Sequence, residues 1–208
     1  DPAIAPYRMA VDVTGQAAGP LAADDAQILW SGLLMGGVTP TGAVAKSWAF
    51  QPNATSADPY DPVSGEWGDE VTGDQFAYIG GIIDQLQLTF PQDLGPIQIQ
   101  ADYRYAAVEY PHTRQDLSVD TNPAWLYGAD TALYINDTAG SIGITRMVDT
   151  MHDASITIAS NTDVKRFSNG SNSNFNVDGY GRGARTLEST FNFAKSTQAL
   201  QEFADARD

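Results

Sequence analysis

Histidine and acidic side chains are the residues of this chain that could carry out proton transfer or bind a metal. The two histidines, His112 and His152, are far apart in the sequence. Neither belongs to an HxxxH or HExxH motif, which disfavours a zinc hydrolase. Carboxylate pairs occur at Asp24/Asp25 and Asp69/Glu70, but pairs carry little information in a chain with 26 acidic residues. A glycosidase needs two carboxyl groups at a set separation, which a sequence does not supply.

Other chemical signatures are absent from the sequence. It contains no GxSxG, Walker A or dinucleotide-binding motif, and GYGRG at Gly179–Gly183 lacks a strand–turn–helix context. One segment is rich in carboxylates: Asp58, Asp61, Glu66, Asp69 and Glu70. These oxygens suit calcium, but their spacing matches no EF-hand. There is no cysteine, which excludes disulfides, thiolate metal sites and cysteine nucleophiles. We therefore expect a protein that is not an enzyme and holds no metal or cofactor.

Composition indicates a globular chain with an acidic surface. Hydrophobic residues make up 42% of the 208 residues, and the net charge is −15. Three interpretations of this charge remain open: a solvated surface, a channel lining that repels DNA, or adaptation to concentrated salt, which the scarcity of lysine favours. Tight binding of nucleic acid requires clustered Lys and Arg and is disfavoured. The apolar run Ile28–Val38 is shorter than the roughly 18 residues of a membrane span, so no membrane partner is expected.

Alternation of apolar and polar residues with period two is the main structural signal, and it predicts strands with one covered face. The segment Pro96–Tyr105 places Ile97, Ile99, Ala101, Tyr103 and Tyr105 on one face and Gln98, Gln100, Asp102 and Arg104 on the other. The segment Asp84–Phe90 alternates in the same way. Shorter candidate strands are Leu133–Ile135, Ile142–Ile144, Ala154–Ile158 and Arg185–Phe193. Antiparallel sheets give this alternation, so we predict a mainly β fold, an antiparallel sandwich or barrel.

Two helices are predicted to accompany the strands. Ala22–Met35 has an apolar face, with acidic residues at its start and two glycines after its end, and it is expected to flank the sheet. Ser196–Ala206 is expected to form a short C-terminal helix with Ser196 as N-cap. Isolated helices of this length are marginal in water, so the Leu200/Phe203 face must pack on its own domain or on a neighbour.

The remaining segments are predicted to be loops and arms. Pro52–Asp74 and Ser168–Gly183 exceed the usual length of a connection, and the second is low in complexity and expected to be flexible. Pro111–Asn122 is a shorter loop. We predict an N-terminal arm at 1–20, a β domain at 21–195 and a C-terminal helix or arm at 196–208.

The order of parts between Val38 and Phe90 has a counterpart in a known family. A short apolar strand carrying Trp48 and Phe50 precedes a long loop that ends in EWGD, and an alternating strand beginning near Gly81 follows. In pattern and order this resembles the major tail tube protein of long-tailed, siphovirus-like phages. The resemblance covers most of the chain. The acidic composition and the long Ser/Asn/Gly loop depart from that family.

The resemblance implies a structural protein of the virion. Family members form hexameric rings that stack into the tail tube, and strands of the six subunits join into one inner barrel. The tube conducts viral DNA into the host without binding it tightly. The implied partners are further copies of the chain and other tail proteins, namely the tape measure, the terminator and the baseplate or tip. The implied location is the tail tube, assembled in the host cytoplasm.

The resemblance also assigns roles to particular residues. The polar face of the two alternating strands is expected to line the lumen: Gln85, Gln87, Gln98, Gln100, Asp102 and Arg104. Arg104 is expected to pair with a carboxylate, Asp102 of an adjacent strand or subunit being one candidate. Ring stacking is expected to use Asp58, Tyr60, Asp61, Glu66, Trp67 and Asp69, with Trp67 as an apolar anchor. Leu200 and Phe203 are expected at contacts between subunits.

Two other functions fit the same residues. A secreted or cell-surface β-sandwich that binds carbohydrate would use the tryptophans and tyrosines. A capsid decoration subunit would also be an acidic β protein without catalytic motifs.

Overall fold

The computed structural model describes residues 13–34, 37–43, 47–50, 61–69, 73–92, 95–113, 122–134, 146–147, 151–165 and 179–195. The strands of this part are β1 Val13–Pro20, β2 Val63–Gly68, β3 Gln75–Phe90, β4 Gln98–Tyr105, β5 Ala107–Glu109, β6 Leu133–Tyr134, β7 Arg146–Met147, β8 Met151–Ala159, β9 Thr162–Lys165, β10 Gly179–Arg182 and β11 Thr186–Phe193. One α-helix, α1, covers Ala23–Leu33, and a short 3-10 helix covers Gly128–Asp130.

The strands form one large antiparallel sheet and two small hairpin-like sheets. The large sheet has seven strands, with β1-β4-β3-β8-β11 in that order and β2 and β5 on the remaining length of β3. The strands β9 and β10 pair with each other, as do β6 and β7. The predicted mainly β, antiparallel class with one flanking helix is confirmed. The large sheet is open rather than closed into a barrel.

The long strand β3 pairs with two groups of neighbours, and the two groups meet at the glycine pair Gly80-Gly81. Its first part pairs with β2 and β5, and its second part pairs with β4 and β8. Gly80 has φ +64°, a conformation that favours glycine. A Cβ on Gly81 would lie 2.5 Å from Cε1 of Tyr105 and 3.0 Å from the carbonyl oxygen of Val63. Glycine at this position therefore allows β2 and the Tyr105 ring to approach β3 closely.

A β-bulge at Asp84 sets which residues of β3 face the core. Ile83 is opposite Tyr103 of β4, whereas Gln85 is opposite Asp102, so Asp84 is the extra residue. Without the bulge, Ile83 and Gln85 would share a face. With it, Ile83 and Leu86 both face the core, and both are fully or almost fully buried.

The core lies between α1 and one face of the large sheet. Leu33 of α1 packs with Ile83, Leu86 and Ala101, and a second cluster joins Leu21 to Leu88 and Ile97. Burying a Leu or Ile side chain stabilises a fold by roughly 1.5–3 kcal/mol, so this single helix layer supplies much of the stability of the sheet. The observed helix is close to the predicted Ala22–Met35.

At the C-terminus of α1, hydrogen bonds connect the helix to the residue that precedes β11. The N–H of Leu34 donates to the carbonyl oxygen of Trp30 at 2.8 Å, and Nη2 of Arg185 donates to the carbonyl oxygen of Leu34 at 2.7 Å. A cation at this end of a helix also interacts favourably with the helix dipole. Because Arg185 directly precedes β11, α1 runs across the sheet from the β1 side towards β11.

Several sequence predictions are corrected by the structure. Trp48 and Phe50 do not lie on a strand; within 47–50 only Ser47 pairs, in an isolated bridge with Thr41. The predicted loop Pro52–Asp74 contains β2, and Ser168–Gly183 contains β10. Both strands are rich in glycine and lack a regular alternation of apolar and polar residues, so the sequence pattern did not predict them.

The other predicted elements are confirmed in part. The strands predicted at Ile97–Tyr105, Ala154–Ile158 and Arg185–Phe193 correspond to β4, β8 and β11. The strand predicted at Asp84–Phe90 is the second part of β3. The predictions for Ile142–Ile144, Ser196–Ala206 and most of the N-terminal arm lie outside the described residues.

Candidate functional surfaces

One face of the large sheet is polar across all five strands from β1 to β11. Cross-strand register places Gln16, Asp102, Gln85, Ala159 and Thr186 in one row. The next row is Ala18, Gln100, Gln87, Thr157 and Glu188. A third row joins Pro20, Gln98, Thr89, Ser155 and Thr190. Short amides and hydroxyls therefore dominate this surface, which we call the polar face.

All six residues predicted to line a lumen lie on the polar face. Gln85, Gln87, Gln98, Gln100, Asp102 and Arg104 occupy neighbouring positions on β3 and β4. Gln98 is exposed and the other five are partly exposed. The structure thus brings them together on one surface, and their position in an assembly stays a prediction.

Two charged residues at the end of the polar face, Arg104 and Asp84, form an ion pair. Nε of Arg104 donates to Oδ2 of Asp84 at 2.9 Å, so Arg104 pairs with a carboxylate as predicted, and within the described chain that carboxylate is Asp84 and not the candidate Asp102. The bulge is the physical reason, since it turns the Asp84 carboxylate towards Arg104. Oδ1 of Asp84 accepts the backbone N–H of Thr162 at 2.9 Å. Asp102 instead accepts a hydrogen bond from Nε2 of Gln16 at 2.8 Å.

The environment of Asp84 favours its ionised form. Burial by itself raises the pKa of this carboxyl group, but hydrogen bonds from Thr162 and Arg104 outweigh it. Together they hold the pKa below the usual value of 3.8. The backbone oxygens at this point are also satisfied, because the buried hydroxyl of Ser160 donates to Ile83 and the N–H of Ser160 donates to Asp84. The bulge is therefore a hydrogen-bonded joint between β3, β4 and the start of β9, at which the buried hydroxyl of Thr162 has no hydrogen-bond partner among the described residues.

A shallow polar groove lies beside this joint. It encloses about 420 Å³ and is lined by Thr14, Gly15, Gln16, Asp84, Asp102, Tyr103 and Arg104. Its charged side chains are already bonded to partners within the protein, as described above. The arrangement gives a polar surface on which one cation, Arg104, is paired with a carboxylate.

The opposite face of the sheet carries an apolar groove at its β1 edge. The groove encloses about 290 Å³ between β1 and α1, and its lining includes Ala17, Gly19, Ile28, Leu29, Ala101 and Tyr103. Small side chains on β1 leave this space, because Ala17 and Gly19 do not reach α1. Burial raises the pKa of the Tyr103 hydroxyl, and the nearby Asp25 carboxylate raises it further.

The two edges of this five-strand array are β1 and β11. Among the described residues, β1 pairs only with β4 and β11 only with β8. Each edge strand has eight residues, and most residues of both are exposed. On the helix side of β11, Leu187 is 68% exposed. It shares a row with Ile158, Leu86, Ala101 and Ala17, whose far end lines the apolar groove.

An aromatic cluster lies where β2, β3 and the end of β5 meet. Trp67 is opposite Phe76, with ring centroids 5.8 Å apart, and Phe76 stacks on Tyr110 at 4.7 Å. Tyr110 donates its hydroxyl hydrogen to Asp74 at 2.9 Å. Trp67 and Tyr110 are 53% and 58% exposed. The rings therefore pack on one another, and about half of the surface of Trp67 and of Tyr110 stays exposed.

The reverse face of the same strands holds a histidine between carboxylates. Nε2 of His112 lies 3.0 Å from Oε1 of Glu66, and Nδ1 lies 3.8 Å from Oε2 of Glu109. Glu66 and Glu109 flank Ala77 in the same row of the sheet. No sequence motif predicts this cluster, because His112 and Glu66 are 46 positions apart and meet here through strand pairing.

The residues predicted for ring stacking are only partly within the described chain. Glu66 and Trp67 lie on β2, and Asp69 directly follows it. Asp61 accepts the backbone N–H of Gly37 at 3.1 Å. Asp58 and Tyr60, like Leu200 and Phe203, lie outside the described residues.

Features relevant to other classes of protein are few in the described part. No group of three or more His, Asp or Glu residues there could hold a metal ion. No helix there is long and apolar enough to cross a membrane. Comparison of the sequence with protein-family models gives no match, and no curated protein matches it significantly.

Proposed function

We propose that this protein is a structural subunit that forms rings by edge-to-edge pairing of its large sheet, and that the rings stack into the tail tube of a virion. The polar face lines the channel through which DNA passes. The resemblance described above supplies the hexameric ring and the stacked tube. In the structure of this chain, the polar face and the two open edges of the sheet support the proposal.

The observation that carries the proposal is a sheet with two different faces and with two edges that, among the described residues, pair with no further strand. One face packs on α1, and the other presents amides and hydroxyls across all five strands. Exposed edges of this length are an aggregation hazard unless another chain covers them. A ring that continues the sheet from copy to copy pairs both edges of every copy and leaves none open.

The charge of the polar face suits a passage for DNA. Its described cation, Arg104, is held by Asp84 at 2.9 Å, while Asp102, Asp153 and Glu188 add negative charge. Strong binding to DNA comes from rows of Lys and Arg that neutralise phosphates. A surface of amides with a modest negative charge lets DNA slide. With −15 per chain, a ring of six carries about −90.

The aromatic cluster argues against the carbohydrate-binding alternative. A sugar ring packs on an open aromatic face, but one face of Phe76 is stacked on Tyr110 and Trp67 leans on the same ring. The described aromatic rings of this cluster therefore use part of their faces in contacts with one another. The same exposed rings are suited to the centre of a protein interface.

Electron microscopy of the purified full chain tests the proposal. We expect rings or tubes in negative stain, with a central channel, and sedimentation at a mass well above 22.3 kDa. A protein that stays monomeric at high concentration and binds glycans on an array would support the binding module instead. Trimers that attach to empty capsids would support the decoration protein. Either of these results overturns the proposal.

A further inference from the structure

The two open edges of the sheet run in the same direction. Every neighbouring pair in β1-β4-β3-β8-β11 is antiparallel, so the strand direction alternates along the series. The first and the last of five alternating strands point the same way. This geometry constrains how copies of the chain can be joined.

A ring formed from this sheet has a parallel seam. Rotation about the ring axis preserves the direction of each strand along that axis, so β11 of one copy meets β1 of the next in parallel. A dimer with two-fold symmetry would instead pair like edges in an antiparallel manner. Parallel pairing is slightly less stable per residue than antiparallel pairing, so the seam needs side-chain contacts as well.

Residues at the two opposite edges of the sheet are suited to such a side-chain contact. Leu187 protrudes from the helix side of β11 with 68% of its surface exposed. At the other end of the same row, Ala17 lines the apolar groove between β1 and α1. Joining copies along this row places Leu187 beside Ala17. A shift of two residues places it beside Gly15 or Gly19, which also have little or no side chain.

We propose that Leu187 of each copy occupies the groove between β1 and α1 of the next copy, at a seam where β11 and β1 run parallel. This inference rests on the proposed ring assembly, and its occupant is a second copy of the same chain. Ile28, which is 53% exposed at the rim of the groove, then becomes covered by the incoming leucine. The groove and the exposed leucine are thus two halves of one heterologous interface.

Paired cysteines determine the direction of the seam. The chain has no cysteine of its own, so introduced pairs report without background. Thr186→Cys and Glu188→Cys on β11 are each combined with Thr14→Cys, Gln16→Cys or Ala18→Cys on β1, all on the polar face and away from the groove. In a parallel seam, the partner that cross-links best moves by two residues towards Ala18 when the β11 cysteine moves from 186 to 188. In an antiparallel seam it moves towards Thr14.

A size exchange tests the groove. Leu187→Ala should raise the critical concentration for assembly about tenfold or more, because the buried apolar contact is lost. Ala17→Leu fills the groove of its own subunit and should have a similar effect. The double variant Leu187→Ala/Ala17→Leu should restore assembly. Leu187→Met, which conserves volume, serves as the matched control and should assemble normally. Circular dichroism melting of each variant checks that the monomer still folds.

Each outcome is decisive for the seam. A parallel cross-link pattern together with rescue by the double variant supports the inference. Rings seen by microscopy without cross-links between β1 and β11, or with the antiparallel pattern, overturn it while leaving the proposed function intact. Cross-links between two copies of Thr186→Cys alone, in a particle that sediments as a dimer, overturn both. A chain that stays monomeric at every concentration also overturns both.

Discussion

At the scale of single residues, Asp84 connects the polar face to the start of β9. Its carboxylate accepts hydrogen bonds from Arg104 and from the backbone of Thr162, both at 2.9 Å. Substituting Asp84→Asn removes the charge and leaves one of these donors poorly paired. We expect a loss of about 1–3 kcal/mol in the free energy of unfolding at pH 7, measured by urea denaturation. Asp102→Asn, which alters an exposed hydrogen bond, is the matched control and should cost less.

Asp84 should also make the free energy of unfolding depend on pH. The pKa of Asp84 is lower in the folded protein than its usual value of 3.8, so the unfolded state takes up the proton first. Its contribution to stability is therefore complete above that value and is lost as the pH falls through the lowered pKa. The difference in unfolding free energy between the wild type and Asp84→Asn should shrink as the pH falls below 3.8 and through the lowered pKa. A constant difference over that range would contradict this role.

The sequence predicts most residues of the polar face, but it does not predict the bulge at Asp84 that brings Asp84 and Arg104 together. Alternation in Gln98–Tyr105 identifies which residues share a face, because side chains of a strand point to opposite sides in turn. A bulge adds one residue and leaves no periodic signal, so the partner of Arg104 could not be read from spacing. The contact between His112 and Glu66 was hidden for a similar reason, since it depends on strand pairing between distant segments.

At the scale of elements, the glycine pair in β3 allows one strand to serve two sets of neighbours. An alanine at Gly81 would place its Cβ 2.5 Å from the Tyr105 ring and 3.0 Å from the carbonyl oxygen of Val63. We expect Gly81→Ala to destabilise the monomer by about 1–3 kcal/mol, because both β2 and the ring must shift. Gly19→Ala is the control, since nothing lies within 4 Å of the added Cβ. Thermal melts in which both variants behave alike would contradict the steric argument.

Because β2 lies within the predicted stacking loop and pairs with β3, a deletion in this loop must stop before β2. A deletion from Ala54 to Gly65 would remove the start of β2 and damage the sheet, so a shorter deletion of residues 54–58 is preferable. Trp67 offers a finer test, because 53% of its surface is exposed in the single chain. Its ring packs on Phe76, a type of contact worth about 0.5–1.5 kcal/mol.

We expect Trp67→Ala to leave a folded monomer with a small loss of stability and to impair the stacking of rings. Trp67→Phe keeps an aromatic ring and should stack more nearly as the wild type does. Tube length in negative stain and the melting temperature of the monomer separate the two effects. Tubes of normal length from Trp67→Ala would show that the cluster plays no part in stacking.

At the scale of the whole molecule, composition and strand alternation predict the class of fold, whereas the arrangement of strands comes from long-range pairing. The antiparallel class and the flanking helix followed from periodicity. The order β1-β4-β3-β8-β11 did not, because β4 lies between β1 and β3 through contacts that no local pattern encodes. The edges of the sheet, and hence the surfaces available for assembly, could be identified only after that order was known.

The position of the polar face in the assembled particle can be tested through charge. Replacing Gln85, Gln87, Gln98 and Gln100 with lysine puts cations on neighbouring positions of β3 and β4. If this face lines the channel, tubes should still assemble, and ejection of the genome should slow because lysines bind phosphate. The slowing should be strongest at low salt, where screening is weakest. The same four positions changed to serine form the matched control, which removes the amides without adding charge and should eject at the wild-type rate. A bulky amine-reactive reagent applied to intact, sealed tubes supplies an independent readout: protected lysines agree with the channel, and lysines that react freely place this face on the outside of the tube.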